Sequence, residues 1–152
     1  MNFAYTKYEI QPSSTNPSGI IHRPEVMLRV IGESGDAHLM ALLDTGADEC
    51  VLPFSVGEAV GARLSPNETI LASGVGGDLL ELVPGDLKFE LVSGEESYRW
   101  QIRVGFARFE NPEDECALLG HVGALELFTA TFDGENHRGT LVPNAAFSAR
   151  TR

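Results

Sequence analysis

The chain has 152 residues, 43% of them hydrophobic and 22% charged, which fits one globular domain able to bury a core and excludes a disordered polymer or a membrane bundle. Eleven basic residues against twenty-two acidic ones leave a net charge of −11, so the chain lacks the basic footprint that a phosphate backbone or an anionic lipid surface requires. Sixteen glycines and eight prolines indicate many turns and a mostly β fold.

Residues 1–24 are polar, are interrupted by Pro12, Pro17, Gly19 and Pro24, and read as an extended N-terminal arm. Their first twenty positions hold no apolar stretch of the kind a secretory signal needs, and no later run reaches the ~18 apolar residues of a spanning helix. The expected location is therefore cytoplasmic. Cys50 and Cys116 are too few for a disulfide framework and are expected to be buried free thiols.

Residues 25–31 carry branched side chains in loose alternation and predict a strand. The turn at 32–36 leads into 37–43, which has helical propensity but is short enough, and close enough to the turn, to predict a second strand hairpinned to the first. A polar break at 44–48 precedes a brief helix over 54–62, with Val56 and Val60 on one face. Residues 69–72 are strand-like, and a glycine-dense turn follows at 73–78. Strand segments at 79–82 and 87–92 are separated by Pro84-Gly85, and residues 98–106 alternate clearly as a strand. After an acidic loop at 110–115 and a short apolar run at 117–120, residues 121–128 predict a helix of two turns. A hairpin of 128–132 with 140–142 turns around 133–136, and residues 145–152 are expected to fray.

Chemistry concentrates in Ala41-Leu42-Leu43-Asp44-Thr45-Gly46-Ala47-Asp48. An apolar strand runs straight into an aspartate, which would fix that carboxylate firmly. Thr45 could bond surrounding backbone, and Gly46 would let the chain turn and let another chain approach. The plainer reading of the same residues is an Asx turn at a strand end. The four histidines form no H-E-x-x-H pair, no G-x-S-x-G is present, and Gly74 to Gly77 lacks the lysine ending of a phosphate loop.

The octapeptide around Asp44 resembles the active-site motif of retropepsin-type aspartic proteases. Thirty residues after Asp44, Gly74-Val75-Gly76-Gly77 resembles the tip of that family's flap hairpin. Ala117-Leu118-Leu119-Gly120 resembles the family's second signature, two apolar residues and a glycine before a short helix. The three occur in the family's order and spacing, over residues 25–132.

The resemblance implies a closed β-barrel acid-protease fold with one or two short helices. Residues 25–132 would be the protease domain, between the 1–24 arm and a C-terminal hairpin strand and tail at 133–152. It implies Asp44 as catalytic carboxylate, Thr45 and Gly46 as loop supports, and Gly46, Ala47, Asp48, Gly74, Val75, Gly76, Gly77 and Leu118 as substrate-binding positions. The family uses two such aspartates. This chain has one D-T-G and no D-S-G, so a homodimer would supply the second Asp44. The implied activity is hydrolysis of peptide or protein substrates without metal or organic cofactor. The alternative is a dimer that keeps the fold and binds peptide without cleaving it. Viral members carry an arginine after the second-signature glycine, paired with the aspartate that Asp48 matches. Here His121 stands there; it would serve that pairing only when protonated, or another residue would replace it.

Overall fold

In the computed structural model, residues 1–74, 77 and 79–150 are described. In chain order the strands and helices are β1 (Asn2–Ala4), β2 (Thr6–Glu9), β3 (Ile20–Arg23), β4 (Glu25–Ile31), β5 (Asp36–Leu43), β6 (Val51–Pro53), α1 (Phe54–Val60), β7 (Arg63–Leu64), β8 (Ile70–Ser73), β9 (Leu79–Ser93), β10 (Glu96–Ala107), β11 (Leu118–Leu119), β12 (Phe128–Asp133), β13 (Arg138–Pro143) and α2 (Ala145–Arg150). The fold is mostly β, as composition predicts.

The central sheet follows from alternation. On β4, Val26, Leu28 and Val30 are buried, while Met27 between them is exposed. On β10, Trp100, Ile102, Val104 and Phe106 are buried. Each such side chain contributes about 1.5–3 kcal/mol by leaving water, so the alternation sets which face of each strand turns inward. Strand β4 pairs antiparallel with β5 from Glu25↔Leu42 to Ile31↔Asp36, as the hairpin reading expects. Pairings run from β10 to β6, β11, β5, β4 and β9, and β9 pairs back to β10. Strands β7 and β8 add along β9. Helix α1 begins after Pro53 and ends at Gly61, whose φ of +70° supplies a left-handed cap. Val60 is buried and Val56 packs against the core, matching the expected face.

Four expectations of secondary structure are corrected. Residues 1–24 are extended but paired. Strand β1 adds to β13, and β2 and β3 form a hairpin whose loop holds Pro12, Pro17 and Gly19. The breakers mark that loop: Ile10 N–H donates to Gly19 carbonyl at 2.7 Å. Pro84-Gly85 does not interrupt β9, because β10 pairs along it from Leu82 to Ser93. Residues 145–150 form α2, with Phe147 set among Tyr98, Trp100 and Phe128.

The fourth correction concerns 121–128, where a two-turn helix is replaced by a turn and a 3-10 helix at Leu125–Leu127. The interruption lies at Gly123, and the amides beyond it reach back five residues rather than four: Leu125 N–H donates to Gly120 carbonyl at 2.9 Å and Glu126 N–H to His121 carbonyl at 3.0 Å. His121 N–H donates to Ala47 carbonyl at 3.0 Å and Val122 N–H to Asp48 carbonyl at 2.8 Å. Gly123 has φ +86°, and its carbonyl accepts the Trp100 indole N–H at 2.7 Å.

Of the two thiols, Cys50 is buried as expected, and Cys116 is exposed, contrary to expectation. Burial pushes the Cys50 thiol up to about 12, so it stays protonated and inert. Among the described residues no helix is long and apolar enough to cross a membrane.

Candidate active site

The site is built from three chain segments that meet at the end of β5. Ala41 and Leu43 are buried, which anchors the strand; Asp44 follows and is half-buried. Residues 44–50 then loop away and return as β6. Strand β11 lies between the two ends of that loop, parallel to β5 at Leu118↔Leu42 and Leu119↔Leu43, and antiparallel to β6 at Leu118↔Val51. The loop therefore wraps around the end of β11.

Backbone hydrogen bonds fix this wrap residue by residue. Leu42 N–H donates to Ala117 carbonyl at 2.9 Å, Leu43 N–H to Pro24 carbonyl at 2.9 Å, and Asp44 N–H to Leu119 carbonyl at 3.1 Å. Ala47 N–H closes a turn onto Asp44 carbonyl at 3.2 Å. Within it, Gly46 N–H donates to Asp44 Oδ1 at 2.9 Å. This is the Asx turn that the plainer reading expects, and it also gives the carboxylate a set orientation. A Cβ at Gly46 would lie 3.3 Å from that oxygen, so glycine keeps the approach uncrowded.

The structure thus brings Asp44, Thr45, Gly46, Ala47, Asp48 and Leu118 together. Thr45, Gly46 and Asp48 are exposed, and Ala47 and Leu118 are half-buried. Gly74 and Gly77 lie at the end of the β8–β9 hairpin, where Ser73 pairs with Leu79 and Gly77 N–H donates to Gly74 carbonyl at 3.2 Å. Leu71 and Leu79 on this hairpin are exposed. Val75 and Gly76, also expected at its tip, fall outside the described residues.

Three supports were not legible as such. Gly120 has no room for a side chain: a Cβ would sit 2.3 Å from Glu49 carbonyl oxygen and 2.8 Å from that of Ala47. Its place after two apolar residues marks it in the sequence, but its packing against the loop does not show there. Cys50 sits behind the loop, with Sγ 3.5 Å from Val122 carbonyl. His121 Nε2 lies 3.2 Å from Thr45 carbonyl. A carbonyl only accepts, so Nε2 carries the proton in this contact whether or not the ring is charged. The histidine holds the loop backbone, and no ion pair to Asp48 forms among the described residues.

The described residues hold no cluster of three or more His, Cys, Asp or Glu suited to a metal ion. An open concavity of about 630 Å³ lies away from Asp44, between Phe3, Asp133 and Arg138 on the β1–β13–β12 sheet. Asp44 stands at the end of β5, directly after its last residue, Leu43.

No protein-family model matches the chain, and no curated protein matches it. Among solved structures, the chain is similar to the EIAV protease complexed with the inhibitor HBY-793. The two share 23% identity over 65% of this chain and 82% of that chain, with a TM-score of 0.39.

Proposed function

We propose that this chain is one half of a homodimeric aspartic endopeptidase of the retropepsin type, with the circuit of paired strands forming its closed barrel. Two Asp44 side chains, one from each copy, would face each other. Carboxylates ~3 Å apart cannot both ionise easily and share a proton. The ionised one takes a proton from a water held between them, and that water attacks the scissile carbonyl. The protonated one donates to the carbonyl oxygen as it gains negative charge. The two ionisations belong to the pair. Thr45 and Gly46 support the loop. Gly46, Ala47, Asp48 and Leu118 line the floor for an extended peptide, and the 74–77 tip closes above it as an added strand.

The observation that carries this reading is the Asp44 anchorage. A carboxylate at a strand end is held by one bond that its own amide donates and by two that its Oδ1 and its carbonyl accept. A half-buried aspartate fixed on that many sides is pre-organised for chemistry at the open face. The single D-T-G makes the second copy necessary.

The test is incubation with an unbiased library of unstructured peptides between pH 4 and 7, with Asp44→Asn in parallel. Internal cleavage by the wild-type chain alone is the expected result. Binding without cleavage by either chain would favour the silent peptide-binding dimer. Equal cleavage by both chains would remove Asp44 from the chemistry.

A further inference from the structure

Away from the Asp44 loop, the β2–β3 hairpin forms a two-stranded sheet of its own. It meets the β12–β13 turn through a pair of histidines. His22 on β3 and His137 in the β12–β13 turn stack with ring centroids 3.6 Å apart and planes 10° from parallel. The turn presents His137 in a fixed pose. Asp133 Oδ1 accepts the Glu135 and Asn136 amides at 3.1 and 3.0 Å, and His137 follows with φ +51°. Its carbonyl accepts Tyr5 N–H at 2.8 Å, just before the hairpin begins. Tyr5 also packs its ring 6.2 Å from that of His137.

Charges of both signs surround the pair. Lys7 on β2 stands directly across from His22 in the strand register. The turn contributes Asp133, Glu135 and Arg138, and Asp133 is occupied with Asn136 and the turn amides. Tyr5, Tyr8 and Glu9 complete the titratable groups of residues 5–9, with Glu9 Oε1 3.7 Å from Lys7 Nζ, and Arg23 follows His22 on β3. One residue along β2 from Lys7, Tyr8 O–H donates to Glu25 at 2.7 Å, which ties β2 to the start of β4.

We propose that the His22–His137 stack is a proton-operated latch, which holds the β2–β3 hairpin on the β12–β13 turn while the rings are neutral and releases it when both are protonated. This goes beyond the proposed peptidase activity and does not depend on it. A single proton is tolerated, because an imidazolium over a neutral ring keeps an attraction. A second proton sets two positive charges at stacking distance beside Lys7. Burial, then His137, then Lys7 hold the His22 ring below the usual histidine range. A histidine depressed in the docked state binds fewer protons docked than released, so acid favours release. The latch is closed above the ordinary histidine value of about 6.5 and opens as the pH falls below it.

Residue-resolved amide exchange on the full chain tests this, comparing pH 7.5 with pH 5 after correction for intrinsic rates. In the wild-type chain the Tyr5 amide and the paired amides of β2 and β3 should lose tenfold or more of their protection at pH 5. His22→Phe keeps a flat ring on His137 with one charge removed, and should hold its protection at pH 5. His22→Ala removes the stack and should show at pH 7.5 the low protection of the acid wild type. Wild-type protection equal at both pH values, a His22→Phe chain that loses protection as the wild type does, or a His22→Ala chain fully protected at pH 7.5 would overturn the latch.

Discussion

Asp44 N–H donates to Leu119 carbonyl at 3.1 Å, so the head of the 44–50 loop is pinned by the strand lying between the loop's two ends. The carboxylate's position is thus set by β11 as much as by its own strand. Support passes from Leu119 to Gly120, whose missing side chain lets the backbone lie against Glu49 and Ala47.

Gly120→Ala should therefore disturb the site more than the fold. The added methyl meets carbonyl oxygens rather than a pliable side chain, and overpacking of this kind costs about 1–3 kcal/mol. The loop moves to relieve it and carries Asp44 away. Peptidase turnover, measured well below the thermal midpoint, should fall at least tenfold while the chain stays folded. Unchanged turnover with a lowered midpoint would mean that the loop does not position the carboxylate.

Acid stability should depend on Glu90. This carboxylate is buried on the sheet; desolvation pushes it up, but Arg29, Ser97 and Arg99 outweigh that and hold it below the usual range. A depressed carboxyl stabilises the fold at pH above its unfolded value and loses that contribution as pH falls through its folded value. The wild-type thermal midpoint should drop steeply below about pH 4. Glu90→Gln should start lower at pH 7 and show a shallower acid decline, read by thermal melts from pH 3 to 7.

The C-terminal helix should add to stability rather than fray. Phe147 lies 5.4 to 6.0 Å from the rings of Phe128, Tyr98 and Trp100. Partial burial within an aromatic cluster makes Phe147→Ala cost about 2 kcal/mol in chemical denaturation. A change below about 0.5 kcal/mol would place α2 outside the cooperative fold.

What was legible in the sequence is what local pattern controls. The alternation of Trp100, Ile102, Val104 and Phe106 announces β10, and the apolar run into Asp44 announces the strand-end carboxylate. What was not legible depends on distant partners. Residues 121–128 have helical composition, but Gly123 takes φ +86° where its carbonyl accepts the indole N–H of Trp100, twenty-three residues earlier. Pro12, Pro17 and Gly19 look like the breaks of a loose arm until Thr6–Glu9 finds Ile20–Arg23. Phe147 reads as part of a polar tail because its partners, Tyr98, Trp100 and Phe128, lie on β10 and β12. The sequence offers His121 as a charge toward Asp48 or leaves that pairing to another residue, whereas its ring N–H faces Thr45 carbonyl.

The central claim is that each active site needs Asp44 from two copies, and mixing tests it most directly. Wild-type chain is exchanged to equilibrium with Asp44→Asn chain at equal amounts and constant total concentration, and cleavage of a peptide substrate is followed. If both carboxylates are required, only wild-type pairs work, and random pairing leaves about a quarter of the activity of an all-wild-type sample. Half the activity, falling in proportion to the wild-type fraction, would mean that each Asp44 works by itself, and about three quarters that one carboxylate per pair suffices; either would contradict the account.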